Sequence, residues 1–174
     1  MDTITFCIIL GGVLFILYIL LDKSKSNDGK IADSDISISN VKKSLDGFTP
    51  IMEKSLKTGY TEKSIEKQLE KYLRTKYKTV TTQYNLESIS GSQIDIDLGR
   101  GILGIEIKIA NQILKQANFD RMQGQVMGYK KNYKKNLILL ICGENEDFEQ
   151  TRIQDIERFC TEQDVEVMGK IITN

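Results

Sequence analysis

The sequence predicts a mixed α/β domain whose elements run α-β-β-β-α-β, extended by one more helix and strand, behind a single apolar N-terminal helix. Three observations carry this. Ile94, Ile96 and Leu98 alternate with Asp95 and Asp97, and Ile105, Ile107 and Ile109 alternate with Glu106 and Lys108. Period two on both sides of Gly99-Arg100-Gly101 marks a β-hairpin. Ile65, Leu69 and Leu73 recur every four residues, the stripe of a half-buried helix, and the run LILLIC at 137–142 has the continuous apolarity of a strand buried on both faces.

Residues 4–21, ITFCIILGGVLFILYILL, hold 18 positions without a charge. As a helix they span about 27 Å, the thickness of a bilayer's hydrocarbon layer. Asp2 precedes the run and no small-residue cleavage pattern follows it, so an uncleaved anchor over 1–21 is expected rather than a signal peptide. Lys23, Lys25 and Lys30 follow the segment and no Lys or Arg precedes it, which puts the bulk of the chain in the cytoplasm of a single-pass membrane protein. Residues 22–40 are rich in Ser, Asp and Lys and read as a flexible polar linker, leaving 41–174 as the cytoplasmic domain.

In that domain, 41–56 is helical but interrupted by Gly47 and Pro50. Thr61 is placed to cap a helix running to about Tyr77. Residues 78–87 are rich in β-branched residues and read as a strand. The hairpin occupies 91–110. Asn111 is the expected cap of a long helix reaching about Lys135, followed by the buried strand. A helix from Asp147 to about Gln163 and a strand from Val165 to Ile172 complete the chain.

Composition narrows the chemistry. The 174 residues include no His and no Trp, which excludes His-ligated zinc and any nucleophile activated by His. The three cysteines, Cys7, Cys142 and Cys160, match no metal spacing and no disulfide framework. What remains is carboxylate and lysine chemistry. If the hairpin turn centres between Arg100 and Gly101, Asp95 lies opposite Glu106; a three-residue turn shifts the register by one. Two carboxylates opposed across a hairpin repel each other unless a cation sits between them. Mg²⁺ or Mn²⁺ suits such all-oxygen ligands, and the Ile107 backbone carbonyl adds another donor. Lys108 projects from the same face as Glu106, where its ammonium serves an attacking water or a phosphate's developing charge.

Asp95 followed by Glu106-Ile107-Lys108, in this order of elements, resembles the PD-(D/E)XK nuclease superfamily, the restriction-endonuclease-like fold. The resemblance covers about residues 60–142, with Ile94 where the family name has Pro. It implies a metal-dependent nuclease with Asp95, Glu106 and Lys108 catalytic, and Asp97 as second choice for the metal-binding aspartate. Gln125 and Tyr129 resemble the Q-x-x-x-Y element of the RecB-like branch. Members often carry a glutamate on the first core helix; Glu70 or Glu66 fills that place, Glu70 slightly preferred because it is nearer the helix end that leads into the sheet.

Net charge is zero, yet the charge is segregated. Residues 54–135 carry 16 basic against 8 acidic side chains, and 136–174 carry 3 against 9. Lys130, Lys131, Lys134 and Lys135, interleaved with Tyr129 and Tyr133, are candidates to grip a nucleic-acid backbone, DNA before RNA. The acidic C-terminal part is a solvated face or a surface for a protein partner or a second copy. The expectation is a membrane-anchored nuclease, with defence against foreign DNA as an extension. The alternative is a catalytically weak module of the same fold that binds nucleic acid or protein.

Overall fold

The computed structural model describes residues 29–53, 59–86, 93–149 and 151–174. The expected anchor over 4–21, the lysines at 23 and 25 and most of the linker lie outside the described residues. Among the described residues no helix is long and apolar enough to cross a membrane. Residues 31–174 form one compact unit.

That unit is mixed α/β, as expected. Its helices are α1 (Ile38–Asp46), α2 (Glu62–Arg74), α3 (Ala110–Ile113), α4 (Gln116–Tyr133), α5 (Asn145–Phe148) and α6 (Thr151–Glu162). Its strands are β1 (Val80–Asn85), β2 (Gln93–Leu98), β3 (Leu103–Ile109), β4 (Leu137–Gly143) and β5 (Glu166–Ile171), in that order across a single sheet. The β1-β2-β3 meander is antiparallel, and β4 and β5 add in parallel after helical crossovers. Each face of the sheet has its own core. On one, α1 and α2 bring Val41, Leu45, Ile65, Leu69 and Leu73 against Ile105, Ile107 and Leu140. On the other, α4 and α6 bring Met122, Val126, Ile153 and Ile156 against Leu137, Leu139 and Ile141.

Several expectations are corrected. Residues 31–40 are not a tether. Ile31 bridges Tyr77, Ile36 is buried in the core, and α1 begins at Ile38 because Ser37 accepts the Asn40 amide as its cap. The helix expected over 41–56 ends at Asp46, and Ile51 bridges Thr173 instead of continuing it; positions 54–56 lie outside the described residues. Thr61 does cap its helix, in a reciprocal box with Ser64, but α2 stops at Arg74. Asn111 caps nothing. Helix begins two residues earlier than that cap implies, at Ala110 after Ile109, and Lys115 takes an extended ψ of 133° that separates α3 from α4.

The hairpin turn centres between Arg100 and Gly101, since Leu98 pairs with Leu103 and Ile96 with Ile105. Gly99, Arg100 and Gly101 all have positive φ, which two glycines adopt without strain. Ladder partners between β2 and β3 end at Ile96 and Ile105. Beyond them β2 turns over: Ile94 is buried in the α4 core while Ile96 and Leu98 face the α2 core. The single apolar face expected of that strand is therefore split at Asp95. The charged face of β3 is not solvated either, because α4 covers it and all seven residues of the strand are buried.

Gly104 permits that cover. A Cβ there would stand 2.6 Å from Ile94 Cδ1 and 2.8 Å from the Tyr133 ring. Tyr133 in turn donates its hydroxyl to Asp97 Oδ1 at 2.9 Å. Gly104→Ala is expected to cost about 1–3 kcal/mol through forced displacement of Tyr133. Urea unfolding of residues 31–174 measures it; an unchanged midpoint would show that the helix does not depend on this close approach.

Candidate functional site

The site forms where β2 leaves β3. There the Asp95 carboxylate replaces a strand partner, with Oδ2 accepting the Ile107 amide at 2.8 Å. One residue before Ile107 on β3, Glu106 points under α4 and is 2% exposed. Lys108 follows on the same face, its Nζ 2.7 Å from Glu106 Oε1 and 3.7 Å from Glu62 Oε2 at the start of α2. The register predicted for a turn centred on Arg100 and Gly101 thus brings Asp95, Glu106 and Lys108 together.

Burial of the charges sets their protonation. Desolvation pushes Glu106 up from 4.5 to about 7; Lys108 pulls it down, and Asp95 pushes it further up. Burial also raises Asp95, against the lowering effect of the Ile107 hydrogen bond and of Lys108. For Lys108, burial works downward, but Glu106 and Glu62 outweigh it and the ammonium is held above its ordinary range. Glu106 Oε2 is buried without a hydrogen-bond partner among the described residues.

Glu66, rather than Glu70, faces this centre. Glu66 is 4% exposed and its Oε2 accepts from Gln83 Nε2 at 2.9 Å, while the same nitrogen reaches Asp95 Oδ1 at 3.3 Å. Glu70 points away and pairs with Arg74 at 2.8 Å. Choosing between them by distance from the helix end fails, because the stripe of Ile65, Leu69 and Leu73 fixes which face meets the sheet. Asp97 serves the turn: its Oδ1 accepts the Gly101 amide at 2.7 Å and the Tyr133 hydroxyl. Regular alternation would put it on one side with Asp95, but β2 turns over between them and the turn takes Asp97 for itself.

On α4, Tyr129 is buried and donates to the Gln93 carbonyl at 2.8 Å, and burial with the nearby charges of Glu106 and Asp95 raises its hydroxyl. Gln125, one turn earlier, lines a cleft of about 150 Å³ with Glu62, Lys108, Gln112, Ile113, Asn118 and Arg121. Arg121 went unnoticed in the sequence; its place four residues before Gln125 and eight before Tyr129 is the signal that finds it. Gln83 carried no such signal.

The lysine cluster lies elsewhere. α4 runs back along β3, so its C-terminal end meets Gly104 and the hairpin turn, opposite to Lys108. Lys130 binds the Gln163 carbonyl, Lys135 lies 3.9 Å from Asp164, and Lys131 and Lys134 are exposed at that end. The acidic C-terminal part finds cations within the chain: Glu166 pairs with Lys42, and Asp155 with Arg152 and Arg158.

The donor set suits a hard divalent cation. Asp95 and Glu106 offer only oxygens; among the described residues each Asp95 oxygen accepts one hydrogen bond, and Glu106 Oε2 has no partner at hydrogen-bond distance. Among the described residues no three acidic or thiol side chains form a ready-made metal cage. Mg²⁺ and Mn²⁺ need only one or two carboxylates together with water and substrate oxygens. Cys142 and Cys160 are buried, and burial raises both thiols to about 12, so neither is a ready nucleophile. Comparison with protein-family models, curated proteins and solved structures found no match to this chain.

Glu106 gives a pH signature. A carboxyl raised from 4.5 to about 7 in the fold binds its proton more tightly folded than unfolded, so it favours the fold less as pH rises through that window. Metal-free protein is expected to lose about 3 kcal/mol between pH 4.5 and 7 relative to Glu106→Gln. Parallel pH profiles of unfolding for the two proteins would remove Glu106 as the titrating group.

Proposed function

We propose that this chain is a metal-dependent nuclease of the PD-(D/E)XK kind, held at the cytoplasmic face of a membrane by residues 4–21. The observation that carries the reading is the convergence of Asp95, Glu106 and Lys108 where β2 leaves β3, with a Glu106 carboxylate oxygen that has no hydrogen-bond partner among the described residues. Buried charge on the inner face of a strand is costly, and a surface hairpin has no reason to keep it.

Asp95, Glu106 and the Ile107 carbonyl hold Mg²⁺ or Mn²⁺ in this reading. The cation supplies Lewis-acid polarisation of a phosphodiester and lowers the pKa of the attacking water. The Ile107 amide fixes the Asp95 carboxylate. Lys108 carries a proton-bearing charge beside Glu106, placed to orient the water and to stabilise negative charge on the phosphate. Gln125 and Arg121 border the cleft beside Lys108 and hold the sugar-phosphate chain. Tyr129 steadies β2 at Gln93. Lys131 and Lys134 stand at the far end of α4 and serve the nucleic acid only as distant, salt-sensitive contacts. DNA is the preferred substrate, and the position at the membrane suits a role against incoming foreign DNA.

One observation favours a second reading, a catalytically weak module that binds nucleic acid or protein. Lys108 already sits on Glu106 at 2.7 Å, so the pair satisfies much of its own charge.

Linear, circular and single-stranded DNA, and RNA, incubated with the protein with and without Mg²⁺ or Mn²⁺ decide between the two. Metal-dependent cleavage is expected. Glu106→Ala and Lys108→Ala are expected to lower it by about two to three orders of magnitude. Binding without cleavage on every substrate would favour the second reading, and equal cleavage by native and variant proteins would sink the site assignment.

A further inference from the structure

We propose that Gln83 is a positioning residue that ties Asp95 to Glu66 and so holds the Asp95 carboxylate in place to receive the divalent cation; this rests on the metal-site reading above. Gln83 lies inside β1, yet its φ is +49°, a left-handed conformation that a non-glycine residue adopts at a cost of about 1 kcal/mol. It stands across from Asp95, between the Thr82–Ile96 and Tyr84–Ile94 pairs. The unusual backbone therefore coincides with the point where β2 turns over and its aspartate enters the site.

The side chain explains what the distortion achieves. Gln83 Nε2 donates to Glu66 Oε2 at 2.9 Å and to Asp95 Oδ1 at 3.3 Å. One NH₂ group thus links a carboxylate on α2 to a carboxylate on β2. The two acids repel each other, and the charge of Glu66 contributes to raising Asp95. Lys63 covers the other side of Glu66, at 2.9 and 3.1 Å, from the exposed surface of α2. The carboxamide is neutral. It orders both acids without adding a positive charge that would oppose a divalent cation, as a lysine there would. Carboxylates that bind metal are commonly fixed by such hydrogen bonds, and losing one weakens metal binding by roughly 10–100-fold.

Glycine and asparagine separate this role from a purely structural one. Gln83→Gly removes the carboxamide but accepts positive φ more readily than glutamine. Gln83→Asn keeps a carboxamide and tolerates the backbone, but is one methylene short of the two acids. The full chain in detergent, free of metal, is titrated with MnCl₂ by calorimetry beside Glu106→Gln, and its thermal midpoint is recorded without metal. Both Gln83 variants are expected to bind Mn²⁺ at least about tenfold more weakly, while the metal-free midpoint of Gln83→Gly stays level or rises. Native affinity in Gln83→Gly, with binding lost in Glu106→Gln, overturns the proposal and leaves the metal site standing. A midpoint that falls together with affinity assigns Gln83 to the fold alone and also overturns it. Absence of Mn²⁺ binding by the native chain overturns this proposal together with the metal-site reading.

Discussion

Burying an ionised side chain is among the largest penalties a small fold sustains, and here Glu106 and Lys108 are buried side by side beneath α4. The surrounding architecture follows from accommodating them. α4 must come close enough to exclude water, and Gly104 leaves room for the Tyr133 ring. The two tyrosine hydroxyls on that helix cannot stay unsatisfied, and they find Asp97 and the Gln93 carbonyl. Lys108 is then balanced from two sides, by Glu106 on its own strand and by Glu62 on α2.

The same alternating strands produce two different ends. At the hairpin, Asp97 Oδ1 accepts the Gly101 amide and the Tyr133 hydroxyl and serves the turn, while its Oδ2 is buried without a partner among the described residues. Where β2 leaves β3, Asp95 takes an amide that a strand carbonyl would otherwise take, and the gap exposes the Lys108 side to a polar cleft. Because α4 runs against β3, its early residues Arg121 and Gln125 reach that cleft while its terminal lysines reach the hairpin. A basic excess counted along the chain is thus divided between opposite ends of the sheet.

Local patterns were legible wherever a single element decides the outcome. The turn glycines and the period of two give the hairpin and one of the two registers open to it, the one in which Leu98 pairs with Leu103. Thr61 with Ser64 makes a cap within four residues, and LILLIC has no polar position to offer solvent. Expectations failed where two elements share the decision. Residues 31–40 have a linker's composition, yet Ile31 and Ile36 find partners in the chain near Tyr77 and in the core, which no local pattern reveals. Glu66 and Glu70 differ by one turn, and only the packed face of α2 separates them.

By itself the sequence determined the mixed α/β class and the hairpin, and named Glu106 and Lys108 with Asp95 or Asp97 as the charges to meet there, because strand periodicity and turn chemistry act over a few residues. Only the tertiary structure decided that these charges are buried rather than solvated, that Asp97 belongs to the turn, and that Gln83 joins Glu66 to Asp95. The physical reason is desolvation: whether a charged side chain meets water or a partner depends on which distant helix covers it, and alternation along one strand carries no record of that cover.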